Sequence, residues 1–243
     1  MNNVFLLGAY ATELKVDDQS EMKNIPLWRR MTPLQKAVMM CVHEAVKAQK
    51  KDFEKLAELE APLYFASAYG ELGAMLRVTQ TIEANALPIS PKDFQHSVLN
   101  AALSYAAIAQ TFHQPGFAIS GGFGSSDLTL HLAARRIAAG LDAGAVVLHG
   151  HEYGSHSPGQ ENARAELLIL SGEPSADSSY SLNFIDQTYD EVPELMREES
   201  VKVYGEDESG ADIAWLLHGG APERKRVLKT RQGLFISTHW HGQ

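Results

Sequence analysis

A chain of 243 residues with 44% hydrophobic side chains can fill a folded core, so neither a peptide nor a disordered tail is expected. Its formal charge of −9 excludes a general nucleic-acid binder, because neutralising phosphates requires a surplus of Lys and Arg. No apolar run reaches the roughly 18 residues of a membrane helix, and Met1-Asn2-Asn3 lacks the basic, apolar and small-residue order of a secretory signal. The single cysteine, Cys41, can form neither an intramolecular disulfide nor a cysteine zinc cluster. A cytoplasmic protein without a membrane span is therefore expected.

Strands and helices alternate along the chain. Val4-Phe-Leu-Leu-Gly8 is an apolar run ended by glycine, which predicts a buried strand. Thr32-Pro33-Leu34-Gln35 opens a helix, with Thr32 as cap, Pro33 at the first helical position and Gln35 closing a capping box. Ala37, Val38, Cys41, Val42 and Ala45 recur at helical spacing, so Cys41 is read as core packing rather than as a nucleophile. Leu63 to Ala68 reads as a strand ended at Gly70, followed by a helix from Leu72 to Glu83. Ser90-Pro91 starts a helix predicted over Lys92 to Thr111, with a face of small residues that includes Ala101, Ala102, Ala106 and Ala109.

Gly116 to Ser120 is the next strand, and it runs through Gly121-Gly122-Phe123-Gly124 into a helix from Ser125 to Ala139. Ala143 to Leu148 and Ala165 to Leu170 are further strands, and the alternating order points to one layered α/β domain over residues 1–243. Ile185 to Asp212 is strongly acidic, whereas Arg224-Lys225-Arg226 with Lys229 and Arg231 is basic. These are read as a solvated helix and loop followed by a solvated basic turn, with a partner-docking surface as the other reading.

Chemistry is expected at the elbow from Ser120 to Ser126. A glycine-lined turn between a buried strand and a helix lifts one side chain to the sheet edge and aims a helix N-terminus at whatever sits there. Here the crown of the turn is Phe123, which has no labile proton and no lone pair.

Several stretches together resemble the β-ketoacyl synthases of the thiolase superfamily. Pro88-Ile-Ser-Pro91-Lys-Asp-Phe94 with Ser97-Val-Leu-Asn100 is similar to that family's interface helix, and Phe117 to Ser126 with Leu132 to Gly140 resembles the strand, elbow and helix that present the catalytic cysteine. Val146-Val-Leu-His-Gly-His-Glu152 falls where the family has a strand closing in Gly-Gly-x-Glu, and Glu161 to Leu170 resembles the next core strand. The resemblance implies a thiolase-like layered α/β/α fold, C-terminally abbreviated, with Phe123 at the cysteine position and Gly121, Gly122 and Gly124 as the elbow.

The same resemblance implies a chain-length-factor-like subunit, catalytically silent, paired in a heterodimer with a cysteine-bearing ketosynthase, and similar to the partner subunits of aryl polyene biosynthesis. The interface and acyl tunnel would draw on Phe94, Val98, Leu99, Asn100, Ala101, Leu103, Phe117, Ala118 and Ser120, with no cofactor and no metal. An acidic acyl carrier protein would dock on the partner, since like charges oppose its capture by this subunit.

Four alternatives stand beside this reading. His218 lies in Asp212-Ile-Ala-Trp-Leu-Leu-His218-Gly219, which resembles the approach to a family histidine, and would serve a malonyl-carrier-protein decarboxylase. His149, His151, Glu152 and His156, completed by His239 or His241, would serve a His-ligated metal hydrolase. Gly122 and Gly124 after a strand suggest a dinucleotide cradle, but the third glycine is missing and Asp127 repels phosphate. Ser125 or Ser126 as a hydrolase nucleophile lacks the flanking glycine pattern, so helix capping is the expected role.

Overall fold

The computed structural model describes residues 4–14, 27–84, 89–120, 122, 125–154, 161–174, 180–187, 223–229 and 235–242. The strands are β1 (Val4–Leu14), β2 (Leu63–Ala66), β3 (Gly116–Ile119), β4 (Gly144–Gly154), β5 (Glu161–Ser171), β6 (Tyr180–Gln187), β7 (Glu223–Lys229) and β8 (Phe235–Gly242). They form one mixed sheet in the order β3-β2-β4-β5-β1-β6-β8-β7. β3 and β4 both run parallel to β2, and every other pair is antiparallel.

Period-two alternation sorts the central strands onto two faces. Val146 opposes Ile169 and Leu148 opposes Leu167 on one face, while Ala145 opposes Leu170 and Val147 opposes Leu168 on the other. The first face is covered by α1 (Pro33–Ala48) and α5 (Ala101–Gln110), through Leu34, Val38, Val42, Ala102 and Ala106. The second is covered by α6 (Ser125–Ala138), through Leu130, Ala133, Ala134 and Ile137. Both faces of the central strands are dry, which is why they read as near-continuous apolar runs. The remaining helices are α2 (Lys50–Glu58), α3 (Leu72–Glu83) and α4 (Pro91–His96). Gly150 lets α1 approach the sheet: a methyl group there would come within 2.7 Å of Leu34 Cδ1 and 3.0 Å of Phe65 Cε2.

The capping box forms as expected. Thr32 Oγ1 accepts from the Gln35 amide at 3.2 Å, and the Thr32 amide donates to Gln35 Oε1 at 3.2 Å. Other expectations need correction. Gly8 does not end β1, because the strand absorbs it at a register shift between Leu6 and Gly8 and continues to Leu14. The single helix predicted from Lys92 to Thr111 is two helices, α4 and α5, broken over Ser97–Asn100. Ser97 Oγ takes the Phe94 carbonyl at 2.8 Å, and the Ser97 amide turns back to the same oxygen, so the ladder stops there. The basic stretch around Arg224 is strand β7 rather than a turn, and α2 was not anticipated. The acidic stretch 188–212 lies outside the described residues.

Candidate functional site

Among the described residues β3 is the terminal strand of the sheet and pairs only with β2, which leaves its outer edge without a strand partner there. An open edge is a template for pairing with another chain. Its residues leave the core as the strand begins: Gly116 and Phe117 are exposed, Ala118 and Ile119 half-buried, and Ser120 exposed. Phe117 stacks on Tyr64 of β2, with ring centroids 5.1 Å apart. Tyr64 is held in turn by Asp142, which accepts from its hydroxyl at 3.2 Å and from Arg136 of α6 at 2.7 and 2.9 Å. The exposed ring therefore rests on a fixed base.

At its carboxyl end β3 leads into the elbow, which begins against the 67–71 loop that follows β2. The Ser67 amide donates to the Ile119 carbonyl at 3.2 Å, and Ser120 Oγ donates to the Ala68 carbonyl at 3.0 Å. Gly122 has φ +75°, which an L side chain resists. Ser125 Oγ donates to the Gly122 carbonyl at 2.5 Å, so this serine fastens the turn. Ser126 is buried in the first turn of α6, away from solvent. Gly121, Phe123 and Gly124 lie outside the described residues, as do His156 and His218.

The structure divides the sequence-predicted interface residues into two sets. Phe94 (61% exposed) and Val98 (44%) stand open, Asn100 is exposed and Leu99 is half-buried. Ala101 and Leu103 are buried within the chain, where α5 packs on α1 and the sheet. A methyl group on Gly116 would meet Leu103 Cδ2 at 3.0 Å. Small residues on α5 thus serve, in part, the close approach of this chain's own elements.

Among the described residues the histidine-rich end of β4 assembles no metal centre. By strand alternation His149 and Glu152 point to opposite faces of the sheet, and no group of three potential metal ligands converges among the described residues. His149 Nδ1 instead lies 3.1 Å from Glu166, which also binds Arg164 at 2.5 Å. Burial, then the neighbouring His149, lowers the His151 pKa. Side chains at 239 and 241 are outside the described set.

Two features of the site were missed in the sequence. Glu71 is fully buried, and its carboxyl accepts from Thr32 Oγ1 at 2.6 Å and Gln35 Nε2 at 2.9 Å. Burial pushes its pKa up to about 8. The other is the His149–Glu166 pair; here the signal was present as an imidazole and a carboxylate on two apolar strands, but their register was not. Cys41 is buried as expected, and burial pushes its thiol up to about 12.

Helices on both faces of this mixed sheet make a layered α/β/α fold. Residues 11–182 match the family described as β-ketoacyl synthase, N-terminal domain, and the chain belongs to that family. Among curated proteins nothing matches. Three solved structures are similar along the whole chain. The complex of the ketosynthase ApeO with its chain length factor ApeC from Xenorhabdus doucetiae is 15% identical, with TM-score 0.58, over 99% of this chain and 100% of that one. The ishigamide ketosynthase/chain length factor is 10% identical, with TM-score 0.66, over 99% of each chain. The AntDE:AntF complex, a type II polyketide acyl-carrier protein with its ketosynthase bound to the hexaketide, is 14% identical, with TM-score 0.67, over the whole of both chains. At these identities the likeness is one of fold. No helix among the described residues is long and apolar enough to cross a membrane.

Proposed function

We propose that this chain is the non-catalytic, chain-length-factor-like partner of a ketosynthase in a type II polyketide system of the aryl polyene kind. The observation that carries the reading is the absence of a usable thiolate. The only cysteine, Cys41, is sealed on α1 with its pKa near 12, and the elbow sequence Gly121-Gly-Phe-Gly124 offers a phenyl ring where the family's resemblance puts a cysteine. Without a thiolate no acyl thioester forms on this subunit, and condensation falls to the partner. The fold neighbours that contain ketosynthase and chain length factor together support the same reading.

The open edge of β3 and the exposed apolar residues of α4 and its following turn supply the surface for that partner. Phe94, Val98 and Phe117 are large apolar side chains left in solvent, which a permanent interface would bury. Leu99, half-buried, and Val98 are suited to bound the partner's acyl tunnel, since a close-packed wall stops a growing chain sterically. The acyl carrier protein docks on the ketosynthase, and the pair works in the cytoplasm. Co-expression tests this directly: the chain alone is expected to be poorly soluble and to be rescued by its cognate ketosynthase. A soluble, monodisperse monomer that ignores the ketosynthase would refute the pairing.

A further inference from the structure

We propose that the first turn of α6 and the end of β4 hold one small neutral hydroxylic molecule, a water, between His149 Nε2 and the hydroxyls of Ser126 and Thr129. Each of these three atoms is buried and has no hydrogen-bond partner among the described residues. Their side chains are sealed, at 5%, 1% and 0% exposure respectively. The register brings them together. β3 and β4 run parallel, so α6, which joins them, runs against both. Its last turn is fixed at the start of β4: a methyl group on Gly172 would come within 3.2 Å of Ile137 Cγ2, and the Gly172 amide donates to the Ala143 carbonyl at 2.9 Å. Ser126 lies about three turns before Ile137 on the same helix face, roughly 16 Å along the axis. The same distance up β4 is about five residues, from Gly144 to His149. Thr129 is the neighbour of Ser126 one turn on.

By strand alternation His149 shares the face of Ala145 and Val147, which α6 covers. Its ring is anchored on the β5 side, with Nδ1 3.1 Å from Glu166 Oε2, so Nε2 points away from Glu166. On the other flank its neighbour in register is Ala66 of β2, whose methyl group fills little of the space under the helix. Chemistry selects the occupant. Glu166 is a carboxylate paired with Arg164 through its other oxygen at 2.5 Å, and a carboxylate only accepts. Nδ1 therefore carries the ring proton, and in the neutral imidazole Nε2 is a lone pair that requires a donor. An anion has no proton to offer, and Asp127, buried in the same turn, opposes one. A metal ion would need further ligands, and no group of three histidine, cysteine or carboxylate side chains converges among the described residues. A water donates to Nε2 and exchanges hydrogen bonds with the two hydroxyls, which gives it the two to four partners that hold a water inside a protein. Bridged in this way, the first turn of α6 is fastened to the β4–β5 pair beneath the elbow. The site belongs to the chain itself, and it stands whether or not the partner reading holds.

A crystal structure of the full chain, alone or with its ketosynthase, at a resolution that shows ordered water reads the site. One oxygen-sized peak is expected about 2.7–3.2 Å from His149 Nε2 and within the same reach of the Ser126 and Thr129 hydroxyls. A double-mutant cycle in urea reads the bridge independently, with His149→Phe as one leg and Ser126→Ala combined with Thr129→Val as the other. Each leg is expected to lower the folding equilibrium constant, and the full combination should lose less than the product of the two by roughly fivefold or more. Should a leg not fold, the peak alone decides. A protein atom, a metal ion or a tetrahedral anion against Nε2, no peak there at all, or losses that simply multiply would each overturn the proposal.

Discussion

Phe94 offers the sharpest perturbation of the surface assigned to the partner. It is 61% exposed, so of the ~200 Å² a phenylalanine presents, about 120 Å² stands in water. Burying that area in an interface at ~25 cal/mol per Å² contributes about 3 kcal/mol. Phe94→Ala keeps the first carbon of the side chain, so the expected loss is ~2–3 kcal/mol, a heterodimer dissociation constant raised roughly 30- to 150-fold. The same change removes little from the folded chain, whose stability should shift by no more than ~0.5 kcal/mol. Titration calorimetry of the two subunits, paired with a thermal melt of the variant, separates the two quantities. Unchanged affinity for the ketosynthase, or a melt that collapses while affinity holds, would refute the assignment of Phe94 to the interface.

Further outcomes follow from the packing and the buried acids. Gly150→Ala drives a methyl group onto Leu34 and Phe65 and should cost ~1–3 kcal/mol in urea titration, with the denaturant slope unchanged. Cys41 should resist iodoacetamide at neutral pH in the native chain and react freely once unfolded, because its thiolate is both buried and disfavoured. Glu71 carries a definite sign: its pKa rises from 4.5 to about 8 on folding, so the folded chain keeps a proton that the unfolded chain releases between those values. Its contribution is fully present below pH 4.5 and is lost as pH rises to about 8. Native melting temperature should therefore fall over that window more steeply than in Glu71→Gln.

What the sequence disclosed was what its local spacing determines. Thr32, Pro33 and Gln35 lie within four residues of one another, and the helix they begin is where they place it. The apolar stripe with Cys41 follows from the same helical period. Local spacing failed where a side chain outbid the periodic pattern, as Ser97 does by capturing the Phe94 carbonyl and splitting α4 from α5. It failed again at Gly8, since a glycine inside a strand reads as an end when its partner strand, β5, lies more than 150 residues downstream. Glu71 was illegible for the same reason: its partners are 36 and 39 residues away, and only the fold brings them together. The strand and helix on either side of the glycine run, β3 and α6, were legible in sequence, and Gly122 between them has a positive φ.

Intact-protein mass spectrometry tests the central claim most directly. The heterodimer is loaded with acyl carrier protein bearing its starter acyl group, and each subunit is weighed after quenching. The acyl mass is expected on the ketosynthase alone, with this chain unmodified at every time point. An acyl adduct on this chain, formed at the elbow or on Cys41, would contradict the account.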